Sequence, residues 1–100
     1  MKKYKIAIME HPMYGTVKLF TTDEDLFKWF LAEIKKRFPS CNIMKYPYKS
    51  GNEFYCTVDQ LSRKDQEVNY WLLNHLCNNG WEPFAIDKEG RYHLRYVIES

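Results

Sequence analysis

Short runs in which apolar and other residues alternate recur along this chain, and they constrain its fold more than any other feature. The clearest run is the last, residues 92–98, in which every second residue is large and apolar: Tyr92, Leu94, Tyr96 and Ile98. A period of two is typical of a β-strand that buries one face. The same period recurs at residues 4–10, 16–21 and 53–59. The sequence therefore predicts a chain built around a β-sheet.

Two segments between these runs combine helical spacing with start and stop signals. Thr21 and Glu24 have the spacing of a capping box, and Pro39 ends the helical pattern that follows them. Ser62 is a typical N-cap for a second helix. That helix ends just before Gly80, a residue type that readily adopts the left-handed conformation at a helix end.

Two further strands, at residues 42–48 and 81–86, complete the predicted order ββαββαββ. Each helix is followed by a hairpin, which indicates a duplicated αββ unit, while the inner six elements have the split βαβ order of ferredoxin-like domains. We therefore expect an α+β fold: one antiparallel sheet of about six strands with both helices on one face. A length of 100 residues fits a single domain, residues 1–100.

The period of two also assigns side chains to the two faces of the sheet. The set expected to face the helices is Phe54, Cys56, Val58, Leu94, Tyr96 and Ile98. The set expected to face away from them is Tyr55, Thr57, His93, Arg95 and Val97. In the first hairpin the rule places Tyr4, Ile6 and Ile8 on one face, and it sends outward Lys5, Ala7, Met9 and Lys18.

Composition excludes several classes of protein. Hydrophobic residues make up 45% of the chain and aromatic residues 17%, which is too apolar for a disordered segment. A formal net charge of +2 is not the signature of a nucleic-acid-binding protein. No apolar stretch is long enough for a membrane span or a signal peptide. The odd count and irregular spacing of Cys41, Cys56 and Cys77 favour reduced thiols in a cytoplasmic protein.

Candidates for catalysis and metal binding exist only as residue types. Cys56 and Cys77, with His75 or His93 as a base, are the nucleophile candidates, but their predicted positions favour buried structural thiols. The histidines, which include His11, lie on three different elements, so we expect no metal site. The chain has no nucleophile elbow, glycine-rich phosphate loop or HExxH motif. We therefore expect neither a cofactor nor an enzymatic activity.

The outward face of the sheet is the remaining candidate for function. Its mixed aromatic, basic and apolar side chains leave three alternatives: a solvated face, a self-association surface, or a platform for a ligand or nucleic acid. The candidate binding residues are Tyr55, Thr57, His93 and Arg95. We prefer a small non-catalytic interaction module that forms a homo-oligomer through this face. The alternative is a nucleic-acid or nucleotide binder that stacks bases on the same aromatic and basic side chains.

The last third of the chain, from Tyr70 onward, resembles a family of short bacterial domains without an assigned activity. The shared pattern is a leucine-bearing helix, a Gly-Trp-Glu turn and a hairpin that ends in aromatic-x-Arg. The matching residues here are Leu73, Leu76, Gly80, Trp81, Glu82, Tyr92 and Arg95. The resemblance implies an architecture, in which the Gly ends the helix and the Trp folds beneath it, and it implies no reaction. The family has one helix where this chain has two, and Pro83 departs from its strand.

Overall fold

The computed structural model describes residues 3–13, 15–47, 53–61 and 68–98. It contains six strands and two helices, in the predicted order. The strands are β1 (Lys3–Met13), β2 (Thr16–Thr21), β3 (Asn42–Pro47), β4 (Phe54–Asp59), β5 (Glu82–Ile86) and β6 (Tyr92–Ile98). The helices are α1 (Glu24–Arg37) and α2 (Val68–Asn78). The helix start predicted at Ser62 lies outside the described residues.

All six strands form one antiparallel sheet in the order β3-β4-β2-β1-β6-β5. The β1–β2 hairpin is central, the hairpin after α1 extends the sheet beyond β2, and the hairpin after α2 extends it beyond β1. This confirms the predicted α+β class. Because β1 and β6 lie between β2 and β5, the strand order follows the duplicated αββ alternative more closely than the ferredoxin-like one. The two helix-hairpin units therefore occupy equivalent places on either side of the central hairpin.

One face of the sheet and the two helices share a single core. On β4 and β6, Cys56, Val58 and Leu94 are fully buried, as the alternation predicts. Phe54 and Tyr96 pack against the edge of this core, and Ile98 is half-buried. The helices contribute buried stripes at helical spacing: Leu26, Phe27, Phe30 and Ile34 from α1, and Val68, Leu72 and Leu76 from α2.

The predicted orientation of β1 is wrong. Ala7 and Met9 are 0% and 2% exposed and belong to the core, while Ile6 and Ile8 are half-buried on the opposite face. Lys5 also lies on the helix side, where its Nζ is 5.8 Å from the ring centre of Tyr96. The cause is that β1 carries apolar residues on both faces, with Ile6 and Ile8 on one and Ala7 and Met9 on the other. Alternation then defines two faces without indicating which of them the helices cover.

The start of α1 also differs from the prediction, because Asp23 is the N-cap and not Thr21. The Asp23 carboxylate accepts the backbone N–H of Asp25 at 3.1 Å. Thr21 is instead buried at the end of β2, and its hydroxyl donates to the backbone oxygen of Ile6 at 2.9 Å. Its hydroxyl also accepts the Asp23 N–H, so the Thr21 side chain joins the strand to the helix without capping it.

The two helices contact each other through aromatic rings. The rings of Trp29 on α1 and His75 on α2 stack with centres 3.6 Å apart and planes within 9°. Trp71 lies 5.5 Å from Trp29, and the Arg37 guanidinium lies over the Trp71 ring at 4.8 Å. Desolvation in this stack lowers the pKa of His75, while Glu33 opposes that shift and Arg37 adds to it.

The end of α2 matches the prediction from sequence. Gly80 has a φ of +91°, and the chain turns there so that Trp81 can enter the core at 7% exposure. Its ring packs against Tyr96, with ring centres 5.7 Å apart. The helix layer is thus anchored to β6 immediately before β5 begins.

Candidate functional site

The open face is the face of the sheet that the helices do not cover. A cross-strand row of apolar and aromatic residues runs through its middle, because Tyr55 pairs with Phe20, Phe20 with Ile8, and Ile8 with His93. These four side chains are half-buried by their neighbours on the sheet. The row crosses four adjacent strands.

A charged row lies next to it, towards the Met13 end of β1. Glu10 pairs with Lys18, and Lys18 pairs with Thr57 on β4. On the other side of β1, continuing the β1–β6 register by one residue places Arg91 beside Glu10. Between the two rows lies a groove of about 230 Å³, lined by Ile8, Glu10, Lys18, Phe20, Tyr55 and Arg91. The groove therefore has an apolar floor and charges of both signs at its rim.

Tyr55 and Thr57, two of the four predicted site residues, are in direct contact. The Thr57 hydroxyl donates to the Tyr55 phenol oxygen at 3.3 Å. Tyr55 lines the groove, but Thr57 is only 8% exposed. Tyr55 is thus accessible from the groove, whereas Thr57 is buried and contacts the Tyr55 hydroxyl.

His93, the third predicted residue, is held by an acidic partner that sequence reasoning missed. Its Nε2 lies 2.9 Å from Asp87 Oδ2, and the same oxygen accepts Arg91 Nε at 2.6 Å. Asp87 Oδ1 accepts the backbone N–H groups of Glu89 and Arg91. The hydrogen bond from His93 is the main cause that holds the pKa of Asp87 far below its usual range, and Asp87 in turn raises the pKa of Arg91. This cluster fixes the turn between β5 and β6.

Arg95, the fourth predicted residue, faces away from the helices as predicted and lies between two aromatic rings. Its guanidinium carbon is 5.3 Å from the ring centre of Tyr4 and 5.4 Å from that of Phe84. Arg95 Nε is 3.5 Å from Glu82 Oε2, yet within the described residues this nitrogen makes no hydrogen bond. Two ring contacts and one ion pair thus hold the Arg95 side chain in place.

The four predicted residues do not converge on one point. Tyr55 and His93 share the cross-strand row, but two strands separate them, which corresponds to about 14 Å. The residues between them, Ile8 and Phe20, were absent from the predicted site. The alternation of residues 16–21 already placed Phe20 on the same face as Lys18, so the sequence contained a signal for it.

The thiols and the acidic groups do not form a second site. Cys56 is buried, as predicted, and Cys41 is buried as well, but the prediction was wrong for Cys77, which is exposed. Cys77 follows the buried Leu76, and a step of one residue along a helix turns its side chain away from the core. Across the described ranges, no group of three or more His, Cys, Asp or Glu side chains could hold a metal ion.

Neither described helix is long and apolar enough to cross a membrane.

A second groove, on the helix side, runs beneath the edge strand β5. It has a volume of about 330 Å³ and is lined by Leu73, Pro83, Phe84, Ala85, Ile86 and Tyr92. All five residues of β5 are exposed, including Phe84 at 47% and Ile86 at 64%. Pro83 and the irregular register between Pro83 and Ala85 interrupt the edge, which disfavours the addition of another strand there.

Comparison of the chain with protein-family models, with curated proteins and with solved structures finds no match. The resemblance of the last third to a bacterial family therefore stays a prediction. The candidate function follows from the geometry of the open face alone.

Proposed function

We propose that the chain is a non-catalytic interaction module whose open face binds a protein surface, including that of another copy of the chain. The observation that carries this proposal is the cross-strand row of Tyr55, Phe20, Ile8 and His93, which no element of the described chain covers. An apolar centre with charges of both signs around it is the usual composition of a protein–protein interface.

The charges of the open face favour a protein partner over a nucleic acid. Arg91 is bonded to Asp87 and Glu89, and Arg95 lies beside Glu82. Binding to phosphates would have to compete with these acidic groups, and nucleic-acid surfaces are predominantly basic. The nucleic-acid alternative is therefore the weaker of the two. The cysteine pattern favours a cytoplasmic protein, and the resemblance of the last third favours a bacterial one.

The test is a measurement of mass in solution over a range of concentrations, by light scattering after size exclusion. For a chain of 12.2 kDa, we expect a species of about twice that mass at high concentration. Phe20→Lys places a charge in the apolar row and should abolish that species. Tyr70→Lys is the matched control, because Tyr70 is 70% exposed on α2, and it should leave the association unchanged.

A titration with single-stranded oligonucleotides at low and moderate salt tests the alternative. We expect no salt-sensitive binding. Two results together would contradict the proposal and support the nucleic-acid hypothesis. The first is strong salt-sensitive binding that Tyr55→Ala weakens, and the second is a mass that stays at 12.2 kDa at every concentration.

A further inference from the structure

We propose that the open face binds a second copy of the chain across a two-fold axis. This axis lies between the two stacked sheets and runs parallel to the strands, above the gap between β1 and β2. This inference rests on the proposed function, because it specifies what the open face binds and in which register. A half-turn about this axis turns the two open faces towards each other and exchanges the two halves of the sheet. β1 then lies over β2 of the second copy, and β6 lies over β4.

The register of the sheet determines which side chains meet across this axis. Ile8 and Phe20 are direct cross-strand neighbours, so each Ile8 meets the Phe20 of the second copy. His93 and Tyr55 lie one strand further out on either side, so each His93 meets a Tyr55. The cross-strand row is thus complementary to itself, because every member faces a different member of the same row.

Charge complementarity favours this axis over parallel two-fold axes that pass over β1, over β2 or between β1 and β6. Glu10 and Lys18 are also direct cross-strand neighbours, so the arrangement forms two Glu10–Lys18 pairs between the copies. Among the described residues, neither side chain has an ion-pair partner within 4.0 Å, although the Glu10 carboxylate lies close enough to Arg91 to help raise the pKa of that residue. An axis through β1 would oppose Glu10 to Glu10, and one through β2 would oppose Lys18 to Lys18. An axis between β1 and β6 would use Arg91, which Asp87 and Glu89 already hold.

A second pair of opposite charges follows from the same operation. Ile6 pairs with Arg95 on β6. In the other half of the sheet, continuing each register by one residue places Thr22 beside Ile6 and Glu53 beside Thr22. The half-turn places each Arg95 opposite the Glu53 of the second copy. Arg95 also lies beside Glu82 of its own chain, so the two Glu10–Lys18 pairs, and not the Arg95–Glu53 pairs, select the axis.

The geometry of stacked sheets is compatible with these contacts. Face-packed sheets lie about 10 Å apart and cross at about −30°. Glu10 is two residues from Ile8, or about 7 Å along the strand, so that crossing angle displaces it by roughly 3 to 4 Å. The flexible side chains of Glu and Lys span such a displacement.

The size of the face is adequate for a dimer. Six strands about 4.8 Å apart, each about six residues long, present a face of roughly 29 by 20 Å. That projection is close to 600 Å² before side-chain relief is included, and a standard interface buries about 800 Å² per partner. The open face is therefore close to the size of a standard interface.

A charge-exchange experiment tests the arrangement. Glu10→Lys and Lys18→Glu each place like charges against each other in a homodimer, and each should weaken dimerisation by about tenfold or more in sedimentation velocity. An equimolar mixture of the two variants makes both pairs complementary again, so it should form a heterodimer with an affinity near that of the wild type. The double variant should regain the homodimer.

The control uses a matched pair of opposite charges outside the open face. Glu24 and Lys28 form an exposed ion pair on α1, so Glu24→Lys and Lys28→Glu should leave dimerisation unchanged. A dimer that Phe20→Lys abolishes, but whose two charge variants fail to complement each other, would overturn the axis and leave the proposed function standing. A wild-type chain that stays monomeric, or a dimer that Phe20→Lys does not affect, would overturn both.

Discussion

The two faces of the sheet are made by the same six strands, but they depend on different interactions. The covered face consists of apolar side chains buried beneath two helices, such as Leu19 and Leu94. The open face is half-buried and is held by paired contacts, such as His93 with Asp87 and Arg95 with Tyr4. Burial of apolar area stabilises a fold much more than exposed polar pairs do. The comparison therefore assigns stability mainly to one face and leaves the other available for binding.

Neighbouring residues on β2 provide the strongest test of this comparison. Leu19 is fully buried on the covered face, and Lys18 points to the open face beside it. We expect Leu19→Ala to lower the free energy of unfolding by about 2 to 5 kcal/mol, because it removes buried methyl groups and leaves a cavity. Lys18→Ala should change that free energy by no more than about 0.5 kcal/mol. Urea denaturation of both variants, below the concentration of any association, measures the difference, and equal losses would contradict the division of roles.

Two glycines with positive φ give a second comparison, with a smaller effect. Gly80 and Gly90 have φ values of +91° and +78°, so an alanine at either position is strained by about 1 kcal/mol. At Gly80 the added methyl group would lie 2.9 Å from the Tyr96 ring on the covered side, whereas at Gly90 it would meet open space. We expect thermal unfolding to show a loss of about 2 to 3 kcal/mol for Gly80→Ala and about 1 kcal/mol for Gly90→Ala. A larger loss at Gly90 would show that the turn, and not the covered side, limits stability.

The smallest expected effect is a pH dependence that arises in the helix layer. His75 has a lowered pKa, so the unfolded chain binds a proton there more readily than the folded chain. The contribution of His75 to stability is complete above its ordinary pKa of 6.5 and is lost as the pH falls through the lower folded value. His75→Phe retains a ring against Trp29 and should remove this part of the pH dependence. Melting temperatures between pH 7.5 and 5 measure it, and an unchanged slope in the variant would contradict the role of His75.

Much of the fold could be predicted from the sequence, because strand period and helix stops are local signals. The orientations of β4 and β6 were correct, since in both strands one face is clearly more apolar than the other. The predicted orientation of β1 was wrong because Ile6 and Ile8 are more hydrophobic than Ala7 and Met9, although Ala7 and Met9 are the residues that enter the core. The side of the sheet on which the helices pack decides which face of β1 is covered, and the sequence of β1 does not contain that information.

The candidate site could be predicted only in part. The open face and the outward orientation of Arg95 follow from alternation within one strand. The partners of these residues depend on register between strands or on turn geometry, which alternation does not specify. Phe20 became part of the site because β2 pairs with β4, and Asp87 because the turn before β6 folds back towards His93. Sequence reasoning thus found the face and missed the contacts that organise it.

The exposure of Cys77 has a practical consequence for distinguishing these arrangements. Cys41 and Cys56 are buried, so a thiol-specific spin label would react with Cys77 on the helix layer and leave the sheet untouched. If two chains meet sheet to sheet, their labels lie on opposite outer surfaces, separated by roughly 30 Å or more of stacked layers. If they meet through their helices, the labels come close together. A distance distribution from pulsed electron resonance would therefore identify the buried side of the assembly without a single substitution.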